Sequence, residues 1–454
     1  MTTIWRLLRT GILTCAWLLI LPCFILLMSA IVPVIPWVRI YAIDVVPNRA
    51  SWFLLFSLAS LAAGLIAQIR RATPAAQGLI ATASFTALLA SGVLAHFLYI
   101  AHSNGAHINL VDTLSTRNTS ENAAPDESRV YSAPRGEPLW LDIYRPRQRL
   151  PHRPSPVIMF VHGGGFVEGS RKMGAANRRS YADAGWTVIS IDYRLARPDR
   201  PTWDLATHDV RCALAWTAAH AAELDIDISR LTLSGASAGG SLAIAAAYSA
   251  DHRVQDASCG PRVPRVAAVV AKAPLIDALG SWKHPGELRD LQRSYMSNYL
   301  GGSPQRYPKR YAAVDVRRYI GPTNPPTLLL AGANDPLLPA TAIEDFARRL
   351  ADKGSEARLV MFPYSGHEFN TTFDSITNQT VIQVVARFLT DNNVGPDSRI
   401  ALPSETIASR YLRESHGFLR SPRMIKNMHP PTQRSDAFGA RIPWQVGGYS
   451  YISG

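Results

Sequence analysis

Hydrophobicity at the start of this chain is continuous rather than periodic. Gly11 to about Trp37 is a nearly unbroken apolar run, interrupted by small residues and by Pro22, Pro33 and Pro36. Trp52 to Ile69 and Gly78 to Ala101 repeat that texture. The first run exceeds the ~20 residues an α-helix needs to cross a bilayer, and the second lies near the lower limit. The third is rich in Ala, Ser and Gly, which let helices approach closely in lipid. Three transmembrane helices are expected within residues 1–101. The competing reading is a secretory signal followed by buried core helices, but a signal's apolar core is usually only ~7–15 residues.

After Ala101 the pattern changes. Residues 102–128 are polar and read as a linker. Beyond them come short apolar runs bounded by turn residues. Leu139–Tyr144 alternates partially, as an edge strand or hairpin arm does. Val157–Val161 and Thr187–Asp192 are continuously apolar, as expected of strands buried on both faces. Arg230–Ser234, Val266–Ala271, Thr327–Ala331 and Ala357–Phe362 supply further strands. Helical spacing appears at Val210, Ala213, Leu214, Thr217, Ala221 and Leu224, and again over Ile343–Lys353 and Ser375–Leu389. Repeated strand–helix alternation predicts an α/β domain over 129–391, with a mostly parallel sheet and helices on both faces. Residues 278–325 separate two strands and carry Trp282, Tyr295, Tyr299, Tyr307, Tyr311 and Tyr319. They are expected to form a cap, its aromatics either lining a pocket or forming the cap's own core. Residues 392–454 are basic, rich in Pro and Ser, and expected to be mostly disordered.

The formal charge of +13 raises nucleic-acid binding. The arginines are scattered, however, without a dense basic tract or a basic-aromatic module, so no nucleic-acid partner is expected. A basic tail behind membrane spans suits anionic headgroups or plain solvation. Of the four cysteines, Cys15 and Cys23 lie in an apolar run, Cys212 on a helix face and Cys259 in a loop. No spacing suggests zinc. A Cys212–Cys259 disulfide is open, with buried thiols the plainer reading. Asn118, Asn370 and Asn378 begin triplets of the glycosylation pattern, which are common by chance.

Chemistry concentrates in two glycine-rich stretches. Gly235-Ala236-Ser237-Ala238-Gly239 follows an expected strand and precedes a helix, so Ser237 sits on a tight turn as a candidate nucleophile. About 70 residues earlier, His162-Gly163-Gly164-Gly165 offers backbone N–H donors for a developing oxyanion, joined by the N–H of Ala238. A serine hydroxyl needs a base, and the base an orienting acid. His367, after the last expected strand, is the candidate base. Asp335, after Thr327–Ala331, is the candidate acid, with Asp277 its competitor. A nucleotide-phosphate role for the glycines fits poorly, since no Lys-Ser/Thr follows and no G-x-G-x-x-G is present.

HGGGF (His162 to Phe166), DYRLA (Asp192 to Ala196), GASAGG (Gly235 to Gly240), DPL (Asp335 to Leu337) and GHEF (Gly366 to Phe369) resemble the hormone-sensitive-lipase-like branch of the α/β-hydrolase esterases and lipases. The resemblance covers roughly Val130 to Leu389. It implies an α/β-hydrolase fold, a Ser237–His367–Asp335 triad, an oxyanion hole at Gly164, Gly165 and Ala238, and no cofactor or metal. The chain departs from the pattern where Arg197-Pro198-Asp199-Arg200 replaces the usual acidic Pro-Glu. It departs again in carrying membrane helices where the family has cap helices.

A membrane-anchored serine carboxylesterase or lipase acting on small-molecule or lipid acyl esters is therefore expected. An amidase or formamidase with the same triad, and a non-catalytic binding module, are the rivals. Arg6 and Arg9 precede the first span, and Arg70 and Arg71 lie between the second and third. Arg39 and Arg49 lie on the other side. By the positive-inside rule this multi-pass arrangement places the catalytic domain outside the cytoplasm.

Overall fold

The computed structural model describes residues 2–32, 35–69, 72–115, 123–148, 153–249, 259–260, 262–396 and 450–451. Three long helices open the chain: α1 Thr2–Ile31, α2 Pro36–Gln68 and α3 Pro74–Ser103. At 1.5 Å per residue each is ~45 Å long, more than the ~30 Å hydrocarbon core of a bilayer. All three are long and apolar enough to cross a membrane. The boundaries differ from those the hydrophobicity suggests. The first run stops at Ile31, and Pro36 takes the first turn of α2, where its missing N–H costs nothing. The second run, expected from Trp52, is only the later part of α2. That helix contains Pro47 and a non-helical Arg49 (φ −136°, ψ 20°), and so bends there.

The sheet comprises β1 Glu127–Ser132, β2 Leu139–Tyr144, β3 Ser155–Val161, β4 Thr187–Ile191, β5 Ile226–Ala236, β6 Ala268–Lys272, β7 Thr327–Gly332 and β8 Ala357–Phe362. Their order is β1-β2-β4-β3-β5-β6-β7-β8, with β9 Ser450–Tyr451 paired to β8. From β4 to β8 all pairings are parallel, and β2 runs antiparallel to both β1 and β4. Strand β1 was not expected from the sequence pattern.

Helices cover both faces. On one, α5 Ala206–Ala219, α7 Ala238–Tyr248 and α11 Ala340–Asp352 pack residues such as Val210, Leu242 and Phe346 against Met159, Leu233 and Leu329. On the other, α4 Ala175–Asp183 and α12 Ile376–Asp391 pack Tyr181, Val384 and Phe388 against Ile158, Val188 and Leu328. Ile100 and Ala101, at the end of α3, belong to this second core. Ile376 of α12 belongs to the core among α1, α2 and α3. The helical region and the sheet are thus packed into one another. Between β6 and β7 lie α8 Ala278–Lys283, α9 Arg289–Leu300 and α10 Pro308–Ala313, within the stretch expected to form a cap.

The described part of the polar segment after α3 is tied down. His107 N–H donates to Gln383 Oε1 (2.9 Å), Gln383 Nε2 to His107 O (2.7 Å), and Asn109 N–H to Gln379 Oε1 (2.9 Å). Asn118 lies outside the described residues, as does most of 392–454. Cys212 and Cys259, read from sequence as buried thiols, are joined in a disulfide. Their Cα atoms are 5.0 Å apart, a proximity that sequence separation does not reveal.

Candidate active site

The turn from β5 into α7 holds Ser237 at φ 52°, ψ −122°, a conformation costing a non-glycine residue ~1–3 kcal/mol. Its neighbours make the turn possible. A Cβ on Gly235 would lie 2.2 Å from the Gly239 carbonyl oxygen, and one on Gly239 would lie 2.2 Å from that of Val161. The turn is pinned by Ser237 N–H donating to Lys272 O (2.7 Å). It leaves the hydroxyl at the C-terminal edge of the parallel strands.

His367 lies in the loop after β8. Its Nε2 is 2.9 Å from Ser237 Oγ, and its Nδ1 is 2.6 Å from Asp335 Oδ2. Asp335 follows β7, and its Oδ1 accepts the N–H groups of Leu337 (2.8 Å) and Leu338 (2.9 Å). The loop thereby fixes one carboxylate oxygen and leaves the other for the imidazole. Burial pushes the His367 pKa down. The charge and hydrogen bond of Asp335, with Glu368 adding and Lys272 opposing, outweigh it, and the net shift is upward. The competing acid is engaged elsewhere: Asp277 caps α8 through Gly280 N–H (2.7 Å) and pairs with Arg317 (2.7 Å).

The glycine loop after β3 lies against the serine turn, and a Cβ on Gly163 would be 3.4 Å from Ser237 Cβ. Buried His162 holds that loop. Its Nδ1 donates to Gly163 O (2.7 Å), its ring stacks on Tyr193 (4.3 Å), and burial lowers its pKa. Since a carbonyl can only accept, Nδ1 carries the proton. The DYRLA residues are scaffold: Tyr193 donates to His162 O (3.2 Å), Arg171 ties Asp192 (2.6 Å) to Asp142 (2.7 Å), and Arg194 grips Asp209 through both carboxylate oxygens. In the departing stretch Arg200 pairs with Glu137 (2.9 Å). Ala238 is the first residue of α7, where an N–H has no intrahelical acceptor. Ala238 and the Gly164–Gly165 loop are the expected oxyanion donors.

Helix α9 lies against this loop. The Tyr295 ring covers Gly165, whose φ is +57° and whose Cβ would fall 2.4 Å from the ring. Tyr295 donates to Glu168 (2.7 Å), and Phe166 stacks on Tyr299 at 3.7 Å. A cavity of about 260 Å³ lies beside α7, lined by Phe166, Leu242, Leu275, Tyr299 and Tyr319 among others. The aromatics of the stretch expected to form a cap therefore divide. Tyr299 and Tyr319 line the cavity, Tyr295 covers the glycine loop, and Tyr311 is buried against Trp282.

Two features of the site escaped the sequence reading. Lys272 donates to Asn370 Oδ1 (2.8 Å), and Asn370 Nδ2 to Asn378 Oδ1 (3.1 Å), bracing the His367 loop from below. Both asparagines head glycosylation-type triplets, yet both are buried and hydrogen-bonded. The second is a set of bonds from α2 to the same loop, whose only sequence signal is a few polar residues, Asp44 and Asn48, beside an apolar run.

The family described as BD-FAE matches residues 141–350, and that described as TAP-like protein matches residues 305–399. Ethyl acetate hydrolase of Pseudomonas putida is 30% identical over 249 residues, covering 52% of this chain and 72% of that protein. Esterase LipQ of Mycobacterium tuberculosis is 26% identical over 271 residues, covering 59% of this chain and 62% of LipQ. Esterase LipC of the same organism is 29% identical over 256 residues, covering 55% and 61%. The chain spans about three fifths of the length of these two mycobacterial relatives. Among solved structures, Thermogutta terrifontis esterase 2 phosphonylated by sarin superposes with a TM-score of 0.50 at 26% identity, covering 58% of this chain and 94% of that one.

Proposed function

This chain belongs to the α/β-hydrolase esterases, in the hormone-sensitive-lipase-like branch, and from that premise we propose that it is a membrane-anchored serine carboxylesterase or lipase. The observation that carries the reading is His367 standing between Ser237 Oγ (2.9 Å) and Asp335 Oδ2 (2.6 Å). Ser237 Oγ attacks the ester carbonyl carbon while His367 Nε2 takes its proton, and Asp335 stabilises the resulting imidazolium. The carbonyl oxygen, now an oxyanion, receives the N–H groups of Gly164, Gly165 and Ala238, donors of a kind worth ~2.7–4 kcal/mol each. His367 passes the proton to the alcohol oxygen as the C–O bond breaks. Water, deprotonated by His367, attacks the acyl-enzyme, the acid departs, and Ser237 regains its proton. The hydrolase is taken as 129–391, with its cap at 278–325.

The three N-terminal helices are taken to cross the bilayer, with the hydrolase on the non-cytoplasmic side. Supporting this are the distribution of Arg6, Arg9, Arg39, Arg49, Arg70 and Arg71, and the packing of the end of α3 into the sheet's core. The Cys212–Cys259 disulfide also suits an oxidising compartment.

The test is chemical trapping. The purified full chain is expected to hydrolyse short-chain p-nitrophenyl esters and to take a fluorophosphonate label at Ser237. A protein that does neither ends the reading. Reporter fusions after Ala101 test the orientation, and a reporter active only in the cytoplasm would reverse it.

A further inference from the structure

The loop bearing His367 is gripped by the N-terminal half of α2, a helix long and apolar enough to cross a membrane. Gly366 N–H donates to Ile43 O (2.8 Å) and Glu368 N–H to Asp44 Oδ1 (3.3 Å). Asn48 Nδ2 donates to Glu368 O (2.8 Å), while Asn48 Oδ1 accepts Thr372 N–H (3.0 Å). Thr377 Oγ1, which donates to Phe369 O (2.6 Å), also lies 3.2 Å from Pro47 O. Arg39 extends the contact to the neighbouring loop, donating to Asn334 beside Asp335 (3.2 Å) and pairing with Glu287 near the start of α9.

The arrangement needs a helix with an open carbonyl. In an α-helix the Ile43 oxygen would take the N–H of residue 47. Residue 47 is proline, which has none, and the oxygen is left for Gly366. Gly366 in turn has no side chain to keep the helix away: a Cβ there would lie 2.4 Å from Asp44 Oδ1 and 2.9 Å from the Ile43 side chain. The residues before and after the imidazole are thus both bonded to α2. Asn48, itself buried, spans two positions of the segment that follows.

We propose that the N-terminal half of α2, residues 36–48, is part of the catalytic centre, with Asp44 and Asn48 as positioning residues that fix the backbone on either side of His367. This rests on the triad reading above and deepens it: the base is set by a helix of the membrane region as well as by the hydrolase sheet. The remainder of α2, beyond the bend at Arg49, keeps enough apolar length to span.

The experiment uses the full chain in detergent, with Asn48→Ala, Asp44→Ala and Asp44→Asn, and a p-nitrophenyl butyrate assay. Thermal melting and gel filtration select folded protein. Asn48→Ala and Asp44→Ala are expected to lower kcat by about ten- to a hundred-fold with KM changed less than about two-fold, the signature of a displaced base. Asp44→Asn keeps an acceptor for Glu368 N–H and is expected to recover most of the lost kcat. If Asn48→Ala does not fold, the Asp44 pair carries the test alone. Wild-type kcat in folded Asp44→Ala, or an Asp44→Asn variant no better than Asp44→Ala, overturns the proposal while labelling of wild-type Ser237 leaves the triad standing. A wild-type chain that is neither labelled nor active overturns both.

Discussion

Asp335 offers His367 only one of its two carboxylate oxygens. Oδ2 meets Nδ1 at 2.6 Å, while Oδ1 is taken by the N–H groups of Leu337 and Leu338. This division makes Asp335→Asn informative. The amide oxygen keeps the two loop bonds, so the NH2 group faces Nδ1. Nδ1 must then accept, the ring proton moves to Nε2, and Nε2 can no longer take the proton of Ser237. A fall in kcat of about 10⁴-fold with little change in melting temperature is expected, the size seen when a triad histidine is held in the wrong tautomer. Steady-state kinetics beside a melting curve check it.

The pH profile follows from the same residues. His367 acts as a base only when neutral, and its pKa is raised because Asp335 and Glu368 together outweigh burial. Activity should therefore fall as the pH drops through a value above the ordinary ~6.5 of histidine. Glu368 pushes that value up, so Glu368→Gln should move the acid limb of kcat/KM to lower pH. A limb that stays put, or moves upward, contradicts the assignment of His367 as the titrating base.

Pro47 gives a prediction with opposed signs. A proline inside a helix costs roughly 3 kcal/mol relative to alanine, so Pro47→Ala should strengthen α2. The restored N–H also competes with Gly366 for the Ile43 oxygen. A raised or unchanged melting temperature together with a several-fold lower kcat is expected. A variant that gains both stability and activity would show that the open carbonyl at Ile43 does not matter to catalysis.

The strand ends that carry Ser237, Asp335 and His367 are legible because each expected strand is marked by apolar residues and bounded by turn residues, and the tight turn expected at Ser237 needs the glycines that stand at 235 and 239. The contact of α2 with the His367 loop was not. Its bond from Gly366 ends on the backbone oxygen of Ile43, which carries no side-chain signal, and Asp44 and Asn48 read as stray polar residues between two apolar runs. Strand β1 was missed for a different reason. It is an edge strand of six residues, partly exposed, with two charged side chains (Glu127 and Arg129), so neither continuous nor clean alternating hydrophobicity marks it. The proline break was visible as Pro33 and Pro36, yet length favoured one continuous run until Pro36 is seen to open a new helix.

The disulfide links stability to topology, and one experiment addresses both. Cys212 and Cys259 close a loop with a sequence separation of 47, for which chain-entropy arguments give about 4 kcal/mol. Cys212→Ser should lower the melting temperature of the hydrolase without altering Ser237, since the bond joins α5 to the segment before β6 and touches no member of the site. Such a bond is favoured when the domain matures in an oxidising compartment, the side on which the proposed topology puts the hydrolase. Cys15 and Cys23, both in α1, are free. Denaturing mass-tag alkylation of the full chain should therefore add two tags without reductant and four after it. Four tags without reductant would remove the disulfide and, with it, the strongest chemical support for a catalytic domain outside the cytoplasm.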